Sequence, residues 1–164
     1  MLQVYRSITI INKAFGDSFV KGSYALVLQL TDTAEITIGR LGTYRFNPGY
    51  YLYFGSALNG LERRIDRHLR SEKKLYWHID FLSEVAEVRE VWRTYSSENA
   101  ECCWTELAKT CTGASTPVLK FGSSDCIFCK SHLIMVTSKT QVDSIRRRIQ
   151  NHLSHSDLDY VEIL

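Results

Sequence analysis

Between Tyr50 and Leu69 the chain reads YYLYFGSALNGLERRIDRHL, an aromatic run that passes through Gly55-Ser56 into a segment crowded with arginine. Phenols beside a glycine turn, next to a guanidinium at the start of a helix, are groups able to hold a phosphate. The guanidinium offers a forked pair of donors, and the first amides of a helix face an anion. Tyr50, Tyr51, Leu52, Tyr53 and Phe54 suit a pleated, half-buried surface, so a strand is expected, with Gly55 and Ser56 ending it as a turn. From Leu61 the apolar residues Leu61, Ile65 and Leu69 recur at i, i+4 and i+8, the stripe of an amphipathic helix. Arg64 and His68 then stack one turn apart at one edge of the stripe, while Arg63, Arg67 and Arg70 are expected on its outer side. From Gly60 to Lys74 there are six basic residues (Arg63, Arg64, Arg67, Arg70, Lys73, Lys74) against three acids (Glu62, Asp66, Glu72), a local excess of three. A solvated helix face is the ordinary explanation of such a run. The neighbouring phenols and glycine are what point towards phosphate.

Tyr53-Phe54-Gly55-Ser56, followed by Leu61-Glu62-Arg63-Arg64 and His68, resembles the second half of the GIY-YIG nuclease motif, and Gly22-Ser23-Tyr24 resembles the first half. With WHIDFL at 77 to 82 and FGSSDC at 121 to 126, the likeness is nearest to the Uri-type branch of that superfamily and covers most of residues 22 to 136. The resemblance implies a small central antiparallel sheet flanked by helices and a metal-dependent endonuclease, with DNA the expected substrate and repair a fitting context. It further implies that Tyr53 is the general base on water, its pKa of about 10 lowered by the cationic helix. Arg64 would bind the non-bridging phosphate oxygens, Tyr24 would orient the water or phosphate, and His68 would contact the phosphate or assist proton movement. Gly55, Ser56, Arg63, Arg67, Arg70, Lys73 and Lys74 would line the nucleic-acid path. In better known members a glutamate on a later helix holds one Mg²⁺ or Mn²⁺. Here Glu106 is the expected ligand with Glu101 the fallback, since five residues along a helix turn the two carboxylates onto different faces.

A second cluster is CxxCxxH: Cys126, Cys129 and His132, with Cys102 or Cys103 able to close a tetrahedral zinc site from the preceding helix. A purely structural loop and a direct part in catalysis are the alternatives. The five cysteines (102, 103, 111, 126, 129) are odd in number and crowded into the last 65 residues, which favours reduced thiols or a metal over a disulfide framework. His78 and Asp80 are two apart and share no helix face, so hydrogen-bonding or core roles are expected of them rather than metal ligation.

Elements that position these groups follow from periodicity. Residues 1 to 12 alternate loosely, as an edge strand or capping arm would, and 14 to 17 read as a turn. Residues 23 to 30 are a strand with Tyr24, Leu26, Leu28 and Leu30 on one face. Residues 35 to 38 and 43 to 46 read as a hairpin, an insertion between the two tyrosine motifs relative to the resembled family. Residues 75 to 82 are a short core helix, and 86 to 95 alternate as a half-exposed strand. Residues 96 to 99 supply a helix N-cap, and 100 to 111 are a helix ended by Gly113. A strand at 133 to 136, a helix at about 139 to 154 carrying Arg146, Arg147 and Arg148, and a last strand at 160 to 163 complete the chain.

The fold class expected is thus α/β (α+β) in one domain of 164 residues, with a core at about 22 to 136 and extensions on either side. Composition is ordinary for a globular protein, at 45% apolar and 23% charged residues, which excludes wholesale disorder. No apolar run is long enough for a membrane helix, and the first residues lack the pattern of a signal peptide, so a soluble cytoplasmic protein without a membrane partner is expected. A net charge of +2 does not announce nucleic acid by itself, and that reading rests on local charge. The rival is a module that binds nucleic acid or a repair enzyme without turnover; a zinc-stabilised structural protein is a third reading.

Overall fold

The computed structural model describes residues 20–96, 98–153 and 158–163. The arm expected at 1 to 12 and the turn at 14 to 17 lie outside them. Seven strands and four α-helices follow in the order β1 (Gly22–Leu30), β2 (Ala34–Ile38), β3 (Gly42–Phe46), β4 (Gly49–Ala57), α1 (Leu61–Leu69), α2 (His78–Leu82), β5 (Glu87–Tyr95), α3 (Glu101–Lys109), β6 (Leu133–Val136), α4 (Lys139–His152) and β7 (Asp159–Glu162). Five strands form one antiparallel sheet in the order β6-β4-β1-β5-β7. This is the helix-flanked antiparallel sheet expected from the sequence.

Alternation along β1 explains why that strand lies at the centre. Tyr24, Leu26, Leu28 and Leu30 enter one core with Leu61 and Ile65 of α1 and Ile79 and Leu82 of α2. Ala25 and Val27 enter a second core with Trp104 of α3 and Val142, Ile145 and Ile149 of α4. A strand apolar on both faces must be covered on both, so the helices divide into two layers around the sheet. Phe54 of β4 meets Trp104 edge to face at 6.5 Å between centroids, locking α3 to the second face. Residues after 138 are no loose appendage: α4 fills the second core and β7 extends the sheet. Among the described residues no helix is long and apolar enough to cross a membrane.

The expected hairpin is present, with β2 and β3 pairing through a 3₁₀ turn at Gly39–Leu41 as a sheet of their own. It is an excursion from the main sheet, burying Ile36, Ile38 and Phe46 in the first core. β1 and β4 therefore pair directly despite the intervening residues.

Several local expectations are corrected. Gly55 and Ser56 do not form a turn, because β4 continues through them to Ala57. β5 is not half-exposed, since Glu90 to Thr94 are all buried. It lies between β1 and β7, and its polar side chains are paired: Glu90 with Lys139 (2.6 Å) and Arg146 (3.0 Å) of α4, and Arg93 with Glu62 (2.7 Å). Arg146, from the arginine run of α4, is thus an internal cation to the buried Glu90. The core helix expected at 75 to 82 is only the five residues of α2. α3 starts at Glu101 with Ala100 at its N-cap position, which carries no capping side chain; of the stretch expected to cap it, Ser97 lies outside the described residues.

Candidate active site and metal centre

Register sets the first part of the site. Tyr24 lies opposite Gly55 and Leu26 opposite Tyr53, so the two phenols project from the same face of adjacent strands, with ring centroids 6.3 Å apart. The Tyr24 ring covers Gly55 so closely that a Cβ there would sit 2.6 Å from its Cζ and Oη. Gly55 is thus a strand glycine that makes room for a phenol. Gly55→Ala is expected to push Tyr24 off its partner and to lower stability by about 1–3 kcal/mol, the usual cost of overpacking, read as a fall in denaturant midpoint with unchanged slope. Gly122 serves Tyr53 in the same way: its φ is +67° and a Cβ would lie 2.5 Å from Tyr53 Cε2. Gly122 belongs to the FGSSDC stretch at 121 to 126, but its place under Tyr53 is set by tertiary contact alone.

α1 supplies the groups behind the phenols. Tyr24 Oη lies 2.8 Å from His68 Nε2, and both residues are buried. Burial pushes the His68 pKa down, so the imidazole is neutral at pH 7, and with its proton on Nδ1 the Nε2 atom accepts from the phenol. Nδ1 points to Asp80 Oδ1 at 3.9 Å, beyond hydrogen-bonding distance. Asp80 is fully buried and accepts a forked pair from Arg67, Nη1 to Oδ1 at 3.0 Å and Nη2 to Oδ2 at 2.8 Å, plus the backbone N–H groups of Tyr76 and Trp77. Burial by itself would raise this carboxyl, yet His68, Arg67 and the two amides together hold it well below the usual carboxylate range. Arg67 is therefore not on the outer side of the helix. Trp77 is gripped between Arg64 and Arg67, whose Cζ atoms lie 4.7 and 4.2 Å from its ring. Lys73 is also turned inward, donating to the His68 carbonyl at 2.6 Å.

The expected lowering of the Tyr53 pKa is reversed. Burial lifts it to about 12, and the nearby Arg64 guanidinium offsets only part of that rise. Tyr24 is raised as well, by burial first and then by Tyr53. Both phenols are neutral at pH 7.

An open cleft of about 740 Å³ lies beside these side chains, lined by Tyr24, Tyr53, Gly55, Ser56, Arg64, Glu101 and His132 among others. Arg64 reaches along its wall to within 3.5 Å of the Ser56 carbonyl. Ser56 also donates to the Glu101 carboxylate at the first turn of α3. A paired serine, Ser23, accepts from the backbone N–H of Ala100 at 2.9 Å and fixes that helix end to the sheet. Glu106 does not face the cleft. It is exposed on the outer side of α3 and pairs with Lys109 at 2.6 Å, because the 500° swept by five residues leaves the two carboxylates about 140° apart. Arg63, Arg70 and Lys74 are exposed on and just beyond α1.

Cys102, Cys126, Cys129 and His132 come together beside the cleft, which Cys102, Cys126 and His132 help to line. Their ligand atoms all lie within 4.8 Å of one another, and the cluster is able to hold a metal ion. Cys102 Sγ is 3.5 Å from Cys126 Sγ and 3.6 Å from His132 Nε2. The Cys129 amide donates to Cys126 Sγ at 3.2 Å, which closes the CxxC turn and lowers the Cys126 pKa. Cys103 lies apart, against His152 at 3.2 Å, and Cys111 is buried elsewhere, so the helix contributes Cys102 alone. His78 and Asp80 take hydrogen-bonding roles as expected, His78 Nδ1 accepting from the Gly122 amide at 3.0 Å.

A family model described as a domain of unknown function, DUF123, matches residues 23–156. The chain belongs to that family. No curated protein and no solved structure matches it. The matched span takes in every residue of this DUF123 site, from Tyr24 in β1 to His132 before β6.

Proposed function

We propose that this chain is a GIY-YIG-like, metal-dependent endonuclease of the Uri type that hydrolyses phosphodiester bonds in DNA. The observation that carries this reading is the convergence of Tyr24, Tyr53, Arg64 and Glu101 on one cleft, although they come from four different elements. Hydrolysis needs a base for water, cationic donors for the phosphate oxygens and usually a divalent cation.

The raised pKa of Tyr53 moves the base away from that residue. Tyr24 takes the proton of the attacking water on Oη while passing its own phenolic proton to His68 Nε2, 2.8 Å away. The imidazolium so formed is stabilised by the Asp80 carboxylate beyond Nδ1. Tyr53, neutral, donates its O–H to a phosphate oxygen, and Arg64 donates a forked pair to the non-bridging oxygens. Glu101 would hold Mg²⁺ or Mn²⁺, which when bound neutralises charge on the phosphate. Its carboxylate fits a hard cation, because it accepts only from the neutral Ser56 hydroxyl and has no cationic partner among the described residues.

Two base assignments give opposite pH profiles. With Tyr24 and His68, single-turnover rates rise as His68 loses its proton below its ordinary value of about 6.5 and are flat above it. With Tyr53 as an ionised base, they keep rising towards about pH 12. The test of the function is cleavage of labelled single-stranded, duplex, flap and branched DNA, and of RNA, with Mg²⁺, with Mn²⁺ and without added cation. Metal-dependent cutting of DNA is expected, and no cutting of any substrate overturns the reading.

The Cys102, Cys126, Cys129 and His132 cluster is proposed to be a zinc site. Tetrahedral ligands at about 2.0–2.3 Å from Zn²⁺ are roughly 3.4–3.8 Å apart, close to the 3.5 and 3.6 Å separations in this cluster. The metal would pin the 121 to 132 loop to α3 beside Glu101. One zinc per chain is expected by metal analysis. Its loss in Cys126→Ser should lower Tm by about 5–10 °C, equivalent to about 2–3 kcal/mol in a domain of this size; metal-free protein of unchanged Tm would sink the assignment.

A further inference from the structure

The cleft is lined by large apolar side chains that none of the described residues covers. Tyr76 is 74% exposed, and Ile127 and Phe128 are 87% and 84% exposed. All three line the same cleft as Arg64 and Glu101. The exposure of Ile127 and Phe128 has a local cause. Closure of the CxxC turn by the Cys129 amide on Cys126 Sγ leaves the two intervening side chains pointing away from the ligand cluster. Adjacent exposed apolar side chains of this size mark a contact surface.

Charge identifies the partner. Arg63, Arg70 and Lys74 are exposed on α1 and in the segment that leads to Tyr76, and exposed Lys120 and Lys130 stand at the base of the Ile127–Phe128 turn, joined through the Lys120 amide and Lys130 carbonyl at 2.6 Å. Aromatic and apolar tips interleaved with cations suit a polyanion that displays flat apolar faces. A duplex hides those faces in its stack and offers only edges and backbone; an unpaired strand offers them freely.

Resting on the nuclease reading above, we propose that the cleft takes an unpaired DNA strand, the bases that flank the reacting phosphate packing on Tyr76, Ile127 and Phe128. The substrate class is single-stranded or frayed DNA, such as a flap or overhang, rather than intact duplex.

The test uses the purified full chain without added Mg²⁺ or Mn²⁺, titrated against a fluorescein-labelled DNA strand and against the blunt duplex of the same sequence. A 2-aminopurine base in the strand reports stacking. Wild type is expected to bind the strand at least about tenfold tighter than the duplex and to change the 2-aminopurine signal. Tyr76→Ser and the double variant Ile127→Ser/Phe128→Ser should each lose about tenfold on the strand, in the range of one base–aromatic contact. The salt slope should be unchanged, since no charge is removed. Because all three residues are exposed, Tm and metal content of these variants should match wild type, separating a contact loss from misfolding. Equal affinity for strand and duplex, undiminished strand binding in the double variant, or a preference for RNA alone would each overturn the proposal. Duplex cut without strand binding sinks this inference and leaves the nuclease reading standing. Failure to bind or cut any nucleic acid removes both.

Discussion

Glu101→Ala is expected to abolish cleavage, with single-turnover rates falling by about 10²–10³ or more, as for loss of a principal electrostatic group, while Glu106→Ala leaves them within about twofold of wild type, as expected of an exposed helix pair. The contrast follows from position on α3. Glu101 meets Ser56 at the cleft, whereas Glu106 is on the outer side with Lys109. Arg64→Ala should cost as much as Glu101→Ala, and Arg64→Lys should not rescue it, because an ammonium cannot offer a planar fork to two phosphate oxygens. Binding should survive in both, weakened by no more than about tenfold, because the exposed cations of α1 and the loop rims remain. Filter binding beside cleavage on the same strand separates the two effects. Equal losses for Glu101→Ala and Glu106→Ala would point to a structural role for α3 instead. Activity surviving Arg64→Ala would remove Arg64 from the mechanism.

The largest effect on stability is expected at Asp80. Removing this carboxylate leaves the amides of Tyr76 and Trp77 without their acceptor and the Arg67 guanidinium with only the Lys74 carbonyl, and Arg67 and Trp77 are only partly exposed. Breaking a buried pair from one side costs about 3–5 kcal/mol, so Asp80→Ala should lower the urea midpoint sharply with the slope unchanged. Asp80→Asn should also be destabilised, since its amide nitrogen must face a donor. The pH dependence has a definite sign. The Asp80 pKa is depressed in the fold, so its contribution is complete above its unfolded value of about 3.9 and is lost as pH falls below that. The His68 pKa is depressed as well, so the unfolded chain takes up that proton first and stability already declines below about pH 6.5. Asp80→Asn should remove the steep limb below about pH 4 and keep the shallower one. An unaltered acid limb would show that other carboxylates set it. The same variant should slow the proposed Tyr24–His68 proton transfer, because the imidazolium would lose its counter-charge.

Sequence periodicity carried most of the element assignments because burial imposes it directly. The alternation of β1, the Leu61-Ile65 stripe of α1 and the hairpin at 34 to 46 all appear as read. β5 failed the same test for a reason only packing reveals: its polar positions carry ions that are buried and paired, and alternation registers polarity rather than exposure. Gly55 misled similarly. A glycine after an aromatic run signals a turn unless a neighbouring strand places a ring over it, and that ring, Tyr24, is 31 residues away in sequence.

Sequence alone supplied the candidate groups: phenols, Arg64, His68, a glutamate on α3, and two cysteines with a histidine at ligand spacing that either Cys102 or Cys103 could complete. Tertiary structure decided which members meet. Antiparallel pairing of β1 with β4 brought Tyr24 beside Tyr53 across the inserted hairpin, and helical phase chose Glu101 over Glu106. It also chose Cys102 over Cys103 and turned Arg67 inward onto the buried Asp80. Local sequence fixes which groups a segment can present; the direction each one faces depends on contacts made far along the chain, and the electrostatic environment depends on burial. That is why the basic helix seemed able to lower the Tyr53 pKa and the folded core raises it to about 12 instead.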